Sequence, residues 1–134
     1  MSQASRLLLK DLLDSGLARV SGEACVRAAL VQDPLDGPVR VAAVGEAADA
    51  MMRGAMIALG EDFIQGLVIP KSGARHRPLP ADDKLNIFPA SHPVPDQSSL
   101  EAGRALVEFV AAVPPGETLL LLVSGGASSL AEVL

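Results

Sequence analysis

The segment VRVAAVGEAADAMMRGAMIALG, residues 39–60, decides the fold class. Its first part, residues 39–44, is a run of valine and alanine interrupted only by Arg40, which predicts a short β-strand that ends at Gly45. Residues 46–59 then place apolar side chains at helical spacing, and Gly60 is typical of the position just beyond a helix. A strand followed at once by a helix is the repeating unit of α/β proteins, so we expect a parallel sheet.

The rest of the chain continues this alternation. Two helices are predicted before the first strand, at about residues 4–20 and 22–32. After it, the pattern predicts strands at residues 63–69, 85–88 and 119–123 and helices at residues 98–113 and 128–134. We therefore expect one α/β domain over residues 1–134, doubly wound and Rossmann-like, with a mostly parallel sheet and helices on both faces.

Local patterns predict where side chains are buried and how one helix begins. Residues 119–123 form an unbroken apolar run, as expected of a strand covered on both faces. Cys25 is expected to be a small core residue on its helix. Ser98 and Glu101 have the spacing of a capping box at the start of helix 98–113. The helix at 46–59 is expected to send three methionines into the core: Met51, Met52 and Met56.

Composition excludes several classes of function. With 16 acidic against 11 basic residues, the net charge of −5 opposes binding to a nucleic-acid backbone, and an aromatic content of 2% leaves few rings for base stacking. The single cysteine permits no disulfide within the chain. The two histidines, His76 and His92, do not have the spacing of a zinc site. We therefore expect neither nucleic acid nor a cysteine- or histidine-bound metal as a partner.

The mean hydropathy of +0.35 is high for a soluble domain. The longest uncharged run, residues 118–131, has 14 residues, fewer than the ~20 that a membrane-spanning helix needs. Lys10 and Asp11 interrupt the apolar N-terminal stretch too early for a signal peptide. We therefore expect a cytoplasmic protein, without a membrane segment, whose apolar surface is partly covered by another polypeptide. The last predicted helix has no C-cap, so the domain looks cut short at its C-terminal end.

Two turns that follow strands are candidates for ligand binding, because open α/β sheets bind ligands beyond the carboxyl ends of their strands. In the first turn, Ser124, Gly125, Gly126, Ala127 and Ser128 follow an apolar strand and open a helix. Paired glycines let backbone N–H groups approach an anion, and the serines add hydroxyls. A tight turn that needs glycine and binds nothing is an equally good interpretation.

The second candidate turn is Val44-Gly45-Glu46. It lacks the G-x-G-x-x-G pattern, so no dinucleotide fingerprint is present. Glu46 has the wrong sign to help an anion bind at a helix N-terminus. An acid that stabilises the helix is therefore favoured over a catalytic carboxylate.

Two loops could contribute to a cleft beside these turns. Residues 71–77 contain Lys71, Arg75, His76 and Arg77, the only local excess of positive charge, which could meet a carboxylate or phosphate. A solvated loop is the more common interpretation of such a run. In the second loop, SHPVPD at residues 91–96, prolines fix the backbone, and His92 and Asp96 could point into the cleft. The alternative is a rigid connection in which Asp96 helps to begin the next helix.

Several of these motifs resemble those of one known family. VRVAAVGEAADAMM at residues 39–52 resembles a strand-turn-helix written VxVVGAGKAAxxM, SHPVPDQ at 91–97 resembles GHPVPDE, and LVSGGASSL at 122–130 resembles LLSGGGSAL. GLVIPKSG at 66–73 also fits. The order of segments resembles the N-terminal domain of the class II glycerate kinases, the glycerate 2-kinase family also named hydroxypyruvate reductase. The resemblance extends over essentially the whole chain.

This resemblance implies an activity and a site. Members of that family are larger two-domain proteins that phosphorylate D-glycerate with ATP and magnesium in a cleft between the domains. The resemblance implies that residues Ser124 to Ser128 form a phosphate- or substrate-binding turn. It also implies that four further residues lie near the same cleft: Gly45, Lys71, His92 and Asp96.

Two departures from the family pattern matter. Glu46 stands where the pattern has lysine, which reverses a charge that would neutralise a transferring phosphoryl group. The second domain of the family is also absent from this sequence. We assign no catalytic residue, and we expect the isolated chain to lack glycerate kinase activity.

Three hypotheses follow. The chain is a domain or fragment of a glycerate 2-kinase-like protein, completed by a second chain. Alternatively, it is a non-catalytic remnant that acts as a binding or self-association module, as a homodimer. A hydroxypyruvate reductase is the third hypothesis; it rests only on the family's other name, and the missing dinucleotide fingerprint counts against it.

Overall fold

The computed structural model describes residues 1–73 and 77–133. Its strands are β1 (Val39–Val44), β2 (Phe63–Ile69), β3 (Leu85–Ile87) and β4 (Thr118–Val123). They form one sheet in the order β3-β2-β1-β4, and every pair is parallel. The prediction of an α/β fold with a mostly parallel sheet is confirmed.

The helices are α1 (Gln3–Arg19), α2 (Gly22–Gln32), α3 (Ala48–Leu59), α4 (Gln97–Ala111) and α5 (Ala127–Leu130). A 3-10 turn, Gly60–Asp62, joins α3 to β2. The bounds of α2, β1 and β2 are those predicted, because each is marked by its own local periodicity and by a breaker at its end. Within the described part of the chain, no helix has both the length and the hydropathy needed to cross a membrane.

Two apolar cores lie on opposite faces of the sheet. Alternate residues of β1 point to opposite faces, so Val41 and Ala43 enter one core while Ala42 and Val44 enter the other. The first core is closed by α2 and α3, with Met51 and Met52 buried as predicted and Met56 packed at its margin. The second core is closed by α4 and α5. Helices therefore cover both faces, as expected of a doubly wound fold.

Three helices begin or end differently from the prediction: α4, which ends at Ala111 rather than at residue 113, and also α3 and the last helix. α3 begins at Ala48 rather than at residue 46, because the N–H groups of Glu46 and Ala47 are hydrogen-bonded to the turn that follows β4. The last helix, predicted over residues 128–134, is α5 and has only four residues. The chain becomes extended at Ala131, and Leu134 lies outside the described residues.

The start of α4 shows a capping box two residues before the predicted one. Asp96 is the N-cap and accepts from the Ser98 N–H at 2.8 Å, while the Ser99 hydroxyl accepts from the Asp96 N–H at 3.3 Å. The prediction that Ser98 and Glu101 form the box is wrong. Aspartate caps helices as well as serine does, and the Ser98 hydroxyl instead accepts from the Ser91 N–H at 3.1 Å.

β4 is only half covered, so the prediction that both its faces are buried is wrong. Leu121 is 51% exposed and Val123 is 60% exposed. β4 lies at the edge of the sheet, and nothing in the described part of the chain pairs with its outer side. Leu121 and Val123 lie in register with Ala42 and Val44, so they point to the face that carries α4 and α5, and the described part of the chain does not cover that face at this edge.

α1 is a helix as predicted, yet every one of its residues is exposed. Its apolar stripe is more than half exposed at each position: Leu7, Leu8, Leu9, Leu12, Leu13 and Leu17. Cys25 on α2 is also exposed, which contradicts the prediction of a core residue. The next residue, Val26, takes the inward position on α2 instead.

Candidate functional site

The carboxyl ends of β1, β2 and β4 bring the predicted turns together. Val44, the last residue of β1, is paired with Ile69 of β2 and with Val123 of β4. Beyond these residues the Gly45 N–H donates to the Ile69 carbonyl at 3.2 Å, and the Ser124 N–H donates to the Val44 carbonyl at 3.0 Å. The two candidate turns and the end of β2 thus share one edge of the sheet, where α/β proteins bind ligands.

The turns after β1 and β4 are hydrogen-bonded to each other. The Glu46 N–H donates to the Gly125 carbonyl at 2.9 Å, and the Ala47 N–H donates to the Ser124 hydroxyl at 3.0 Å. Gly45 has a φ of +126°, and a Cβ there would lie 2.1 Å from Ser124 Oγ. Only glycine fits this position. Ser124 Oγ therefore accepts a hydrogen bond from the start of α3. Its hydroxyl proton remains available for donation to a ligand.

The imidazole of His92 lies against the glycine turn. Gly126 has a φ of +82°, and a Cβ there would lie 2.8 Å from Cδ2 and 2.9 Å from Nε2 of His92. The loop that carries His92 is attached to the end of β2, because the Ala90 N–H donates to the Pro70 carbonyl at 2.9 Å and the Ser72 N–H donates to the Ala90 carbonyl at 2.8 Å. The sequence-predicted residues Gly126 and His92 are thus in direct contact.

Glu46 faces two basic side chains at this edge. Its Oε1 atom lies 3.6 Å from Lys71 Nζ and 3.5 Å from His92 Nδ1. The Glu46 side chain is 52% exposed, and those of Lys71 and His92 are 35% and 22% exposed. His92 Nδ1 is itself buried and has no hydrogen-bond partner among the described residues. The three side chains form one polar cluster, although both distances exceed those of charge-assisted hydrogen bonds.

Asp96 is engaged within its own loop. Its carboxylate accepts from the Ser91 hydroxyl and from both the hydroxyl and the N–H of Ser98. These hydrogen bonds, first that from Ser91 and then those from Ser98, hold the pKa of Asp96 below its usual range. Asp96 thus closes the loop and caps α4, the alternative role that the sequence left open for it.

The remaining candidates are less well placed for an anion. Ala127 begins α5 and Ser128 is exposed, and a helix of four residues adds little dipole to the turn. The Gly126 carbonyl accepts from the Ser129 hydroxyl at 3.0 Å, which stabilises the turn itself. Arg75 and His76 lie outside the described residues.

An open cleft of about 370 Å³ lies beside the cluster. Lys71 and Arg77 line it together with Asp49, an acid in the first turn of α3 that sequence reasoning missed. The sequence signal for Asp49 was its position, about one helical turn after Gly45, which places it near the candidate turn. Over residues 1–73 and 77–133, no group of three or more histidine, cysteine, aspartate and glutamate side chains is placed to hold a metal ion.

The amino-acid sequence is similar to those of several known proteins. Residues 8–134 match the family described as a domain of unknown function, DUF4147. A D-glycerate 2-kinase of Thermotoga maritima is 34% identical over 131 residues, which are 98% of this chain and 30% of that protein. A putative hydroxypyruvate reductase of Agrobacterium vitis is 30% identical over 127 residues, which are 95% of this chain and 28% of that protein.

Solved structures agree with the sequence relatives. A crystal structure of glycerate kinase from Thermotoga maritima matches with a TM-score of 0.83 at 31% identity, over 98% of this chain and 31% of that one. A protein of Pyrococcus horikoshii matches with a TM-score of 0.77 at 23% identity, over 99% of this chain and 32% of that one, which shows the fold alone. The chain thus spans less than a third of the length of these proteins.

Proposed function

Because the chain belongs to the DUF4147 family, we propose that it is the N-terminal α/β domain of a glycerate 2-kinase-like protein and that it does not complete the reaction alone. In this proposal the domain contributes one wall of a cleft that binds an anionic group of D-glycerate or of ATP. The remaining wall comes from further polypeptide, since the relatives are more than three times as long.

The observation that carries the proposal is the packing of two glycine turns at the carboxyl edge of the sheet. Gly45 and Gly126 have positive φ values, and both stand where a Cβ would overlap neighbouring atoms. Glycines at these positions let the two turns and the His92 loop pack closely together at the edge of the sheet where α/β proteins bind ligands. The relatives with 34% and 31% identity are named for a kinase that acts on glycerate, which supports an oxygen-rich anion as the ligand.

Glu46 supports the second half of the proposal, that the chain alone is inactive. Its carboxylate lies at the turn where the family pattern has lysine. Phosphoryl transfer places negative charge on the transferring oxygens, and a nearby carboxylate opposes that charge instead of neutralising it. The net effect is a poorer site for catalysis than for binding.

The donor set at this turn does not fit a magnesium ion held by the domain itself. Magnesium takes near-octahedral oxygen coordination at short distances. Glu46 supplies a carboxylate at the turn, and it faces the ammonium group of Lys71, whose positive charge would repel a cation. No role for the ion follows from these residues, although the relatives' kinase activity implies ATP with magnesium.

The uncovered apolar surfaces favour completion by another polypeptide. The stripe on α1 and the outer side of β4 are both exposed. A strand edge with unpaired N–H and C=O groups next to exposed Leu121 and Val123 is a surface on which another strand can pair. A complementing chain is the proposed occupant, and a homodimer of a non-catalytic remnant is the alternative that these same surfaces allow.

The test combines binding with complementation. The purified chain is titrated with Mg-ATP, with and without D-glycerate, by calorimetry. It is then mixed with a Thermotoga maritima glycerate 2-kinase that lacks the matching N-terminal part, and ADP release is followed. We expect millimolar or tighter binding by the chain, no turnover by either piece alone and D-glycerate-dependent turnover from the mixture.

Three outcomes would change the conclusion. Turnover by the chain alone would contradict the proposed dependence on a second part. Absence of both nucleotide binding and complementation would favour the non-catalytic, self-associating alternative. Oxidation of a nicotinamide cofactor with hydroxypyruvate would support a reductase, the activity named for the Agrobacterium relatives.

A further inference from the structure

We propose that Lys71 and His92 form a receptor for one oxygen of a carboxylate or phosphate, and that Glu46 occupies this receptor as an internal ligand. The identity of the natural ligand rests on the proposed function, but the receptor and its occupant do not. The consequence is a site at which the chain's own carboxylate competes with external anions and weakens their binding.

The geometry is that of two donors converging on one acceptor. Lys71 follows the end of β2, and His92 lies in the loop before α4, yet both nitrogens approach the same atom, Oε1 of Glu46, at 3.6 and 3.5 Å. A lysine ammonium and a histidine with a proton on Nδ1 both donate hydrogen bonds and attract an oxyanion. Glu46 is therefore in the place where a ligand oxygen would be.

Glu46 fits this place loosely. Charge-assisted hydrogen bonds have donor–acceptor distances of about 2.7–2.9 Å, clearly shorter than the two distances found here. His92 Nδ1 is buried without a hydrogen-bond partner among the described residues, which costs free energy. An external oxyanion that comes closer to both nitrogens would satisfy Nδ1 and gain the stronger interaction with Lys71.

The glycine turn packs directly against the receptor. A Cβ on Gly126 would lie 2.8 Å from Cδ2 of His92 and 3.4 Å from Cγ of Glu46. Any other residue at this position would displace the imidazole of His92, and with it the buried Nδ1. The position of His92 in the receptor thus depends on Gly126 and is separate from the hydrogen bonds that Ser124 and Gly125 make to the start of α3.

Glu46 keeps external anions out in two ways. It is tethered beside the receptor, so its effective concentration there is in the millimolar range or higher, and its charge repels a second anion. Replacing Glu46 by alanine removes both effects. Replacing it by glutamine removes the charge and leaves a side chain of the same size.

The test is a titration of the full chain with inorganic phosphate, followed by calorimetry and by the proton NMR signals of His92. Only two histidines are present, so a His76→Gln variant assigns the spectrum. We expect Glu46→Ala to bind phosphate about tenfold more tightly than the unmodified chain, with Glu46→Gln in between and with the His92 signals shifting on binding. Adding Lys71→Ala to Glu46→Ala should remove the gain.

The matched control is Glu61→Ala, which removes the same charge from an exposed position on the 3-10 turn. An equal gain from Glu61→Ala would show that net charge alone is responsible and would overturn the proposal. An unchanged phosphate affinity in Glu46→Ala, with the melting temperature preserved, would also overturn it. Because Glu46 is half exposed, we expect the variant to fold.

Two further arms separate this proposal from the proposed function. Titration of Glu46→Ala with D-glycerate and with inorganic phosphate distinguishes a carboxylate receptor from a phosphate receptor. The complementation assay described above uses the unmodified chain, so its failure would leave a positive phosphate titration standing. A failed phosphate titration would likewise leave complementation standing.

Discussion

β1 and β4 are neighbouring parallel strands of six residues each, but their environments differ. Apart from Arg40, every residue of β1 is buried, whereas β4 leaves Leu121 and Val123 more than half exposed. β4 is nevertheless the more apolar sequence, with four consecutive leucines against the alanines and the arginine of β1. Burial is therefore set by position in the sheet, and the apolarity of β4 supports the proposal that another polypeptide covers this surface.

The turns that follow β1 and β4 are hydrogen-bonded to each other. We expect the largest loss of stability from a substitution that separates these two turns. Gly45→Ala places a Cβ in a left-handed backbone conformation and against Ser124 Oγ. We expect a loss of about 3 kcal/mol or more in the free energy of unfolding, measured by urea denaturation. Gly125→Ala is the control, because a Cβ there meets open space, and its loss should be well under 1 kcal/mol. Equal losses would contradict the close packing of the turns.

Two valines that are paired in register allow the burial of β1 and β4 to be compared directly. Val44 of β1 is 3% exposed, and its partner Val123 of β4 is 60% exposed. We expect Val44→Ala to cost about 2 kcal/mol, because it removes two buried methyl groups and leaves a cavity, and Val123→Ala to cost less than about 0.5 kcal/mol. Chemical denaturation of both variants checks this. Similar costs would mean that β4 is already covered in solution.

Introducing a charged side chain on β4 tests whether a second copy of the chain covers this strand. If a second copy of the chain uses this edge, Leu121→Lys should lower the average mass in sedimentation towards the 13.8 kDa of one chain. Its free energy of unfolding should change by no more than about 0.5 kcal/mol, since the side chain is half exposed. Unchanged association would mean that β4 is not the surface used. The apolar stripe on α1 would then be tested in the same way with Leu12→Glu.

The smallest effect concerns the loop before α4. The pKa of Asp96 is lowered, so the ionised carboxylate stabilises the folded state at neutral pH, and this contribution is lost as the pH falls through the folded-state pKa, below the ordinary value of 3.8. Asp96→Asn keeps an acceptor for the N-cap. We expect a small difference in melting temperature from the unmodified chain at pH 7 that disappears in strong acid. A difference that persists there would assign the effect to the cap alone.

Local signals were sufficient for most of the fold. The valines of β1, the glycine after it and the apolar spacing of α3 predict a strand, a turn and a helix without reference to distant residues. Cys25 and Leu121 were mispredicted because their exposure depends on which elements pack beside them. The cap of α4 was misplaced because Asp96 and Ser98 are equally good caps by residue type.

The candidate site was predictable in its parts but not in its contacts. Gly126, Lys71 and His92 were singled out from the sequence, and the topology brings them to one edge; their role in binding stays a prediction. The approach of Glu46 to Lys71 and His92 could not be foreseen, because it depends on loop conformations. The use of Ser124 Oγ by Ala47 depends on the same tertiary packing.

The strand order also has a consequence for how the chain folds during synthesis. β1 is the first strand to be made and lies inside the sheet, and its neighbour β2 follows soon after it, but its other neighbour β4 emerges only after β2, β3 and α4. The hydrogen bond between Ala47 and Ser124 joins residues 77 positions apart. A nascent chain that has not reached β4 therefore presents one edge of β1 unpaired, and the ligand edge is completed only after β4 has been made.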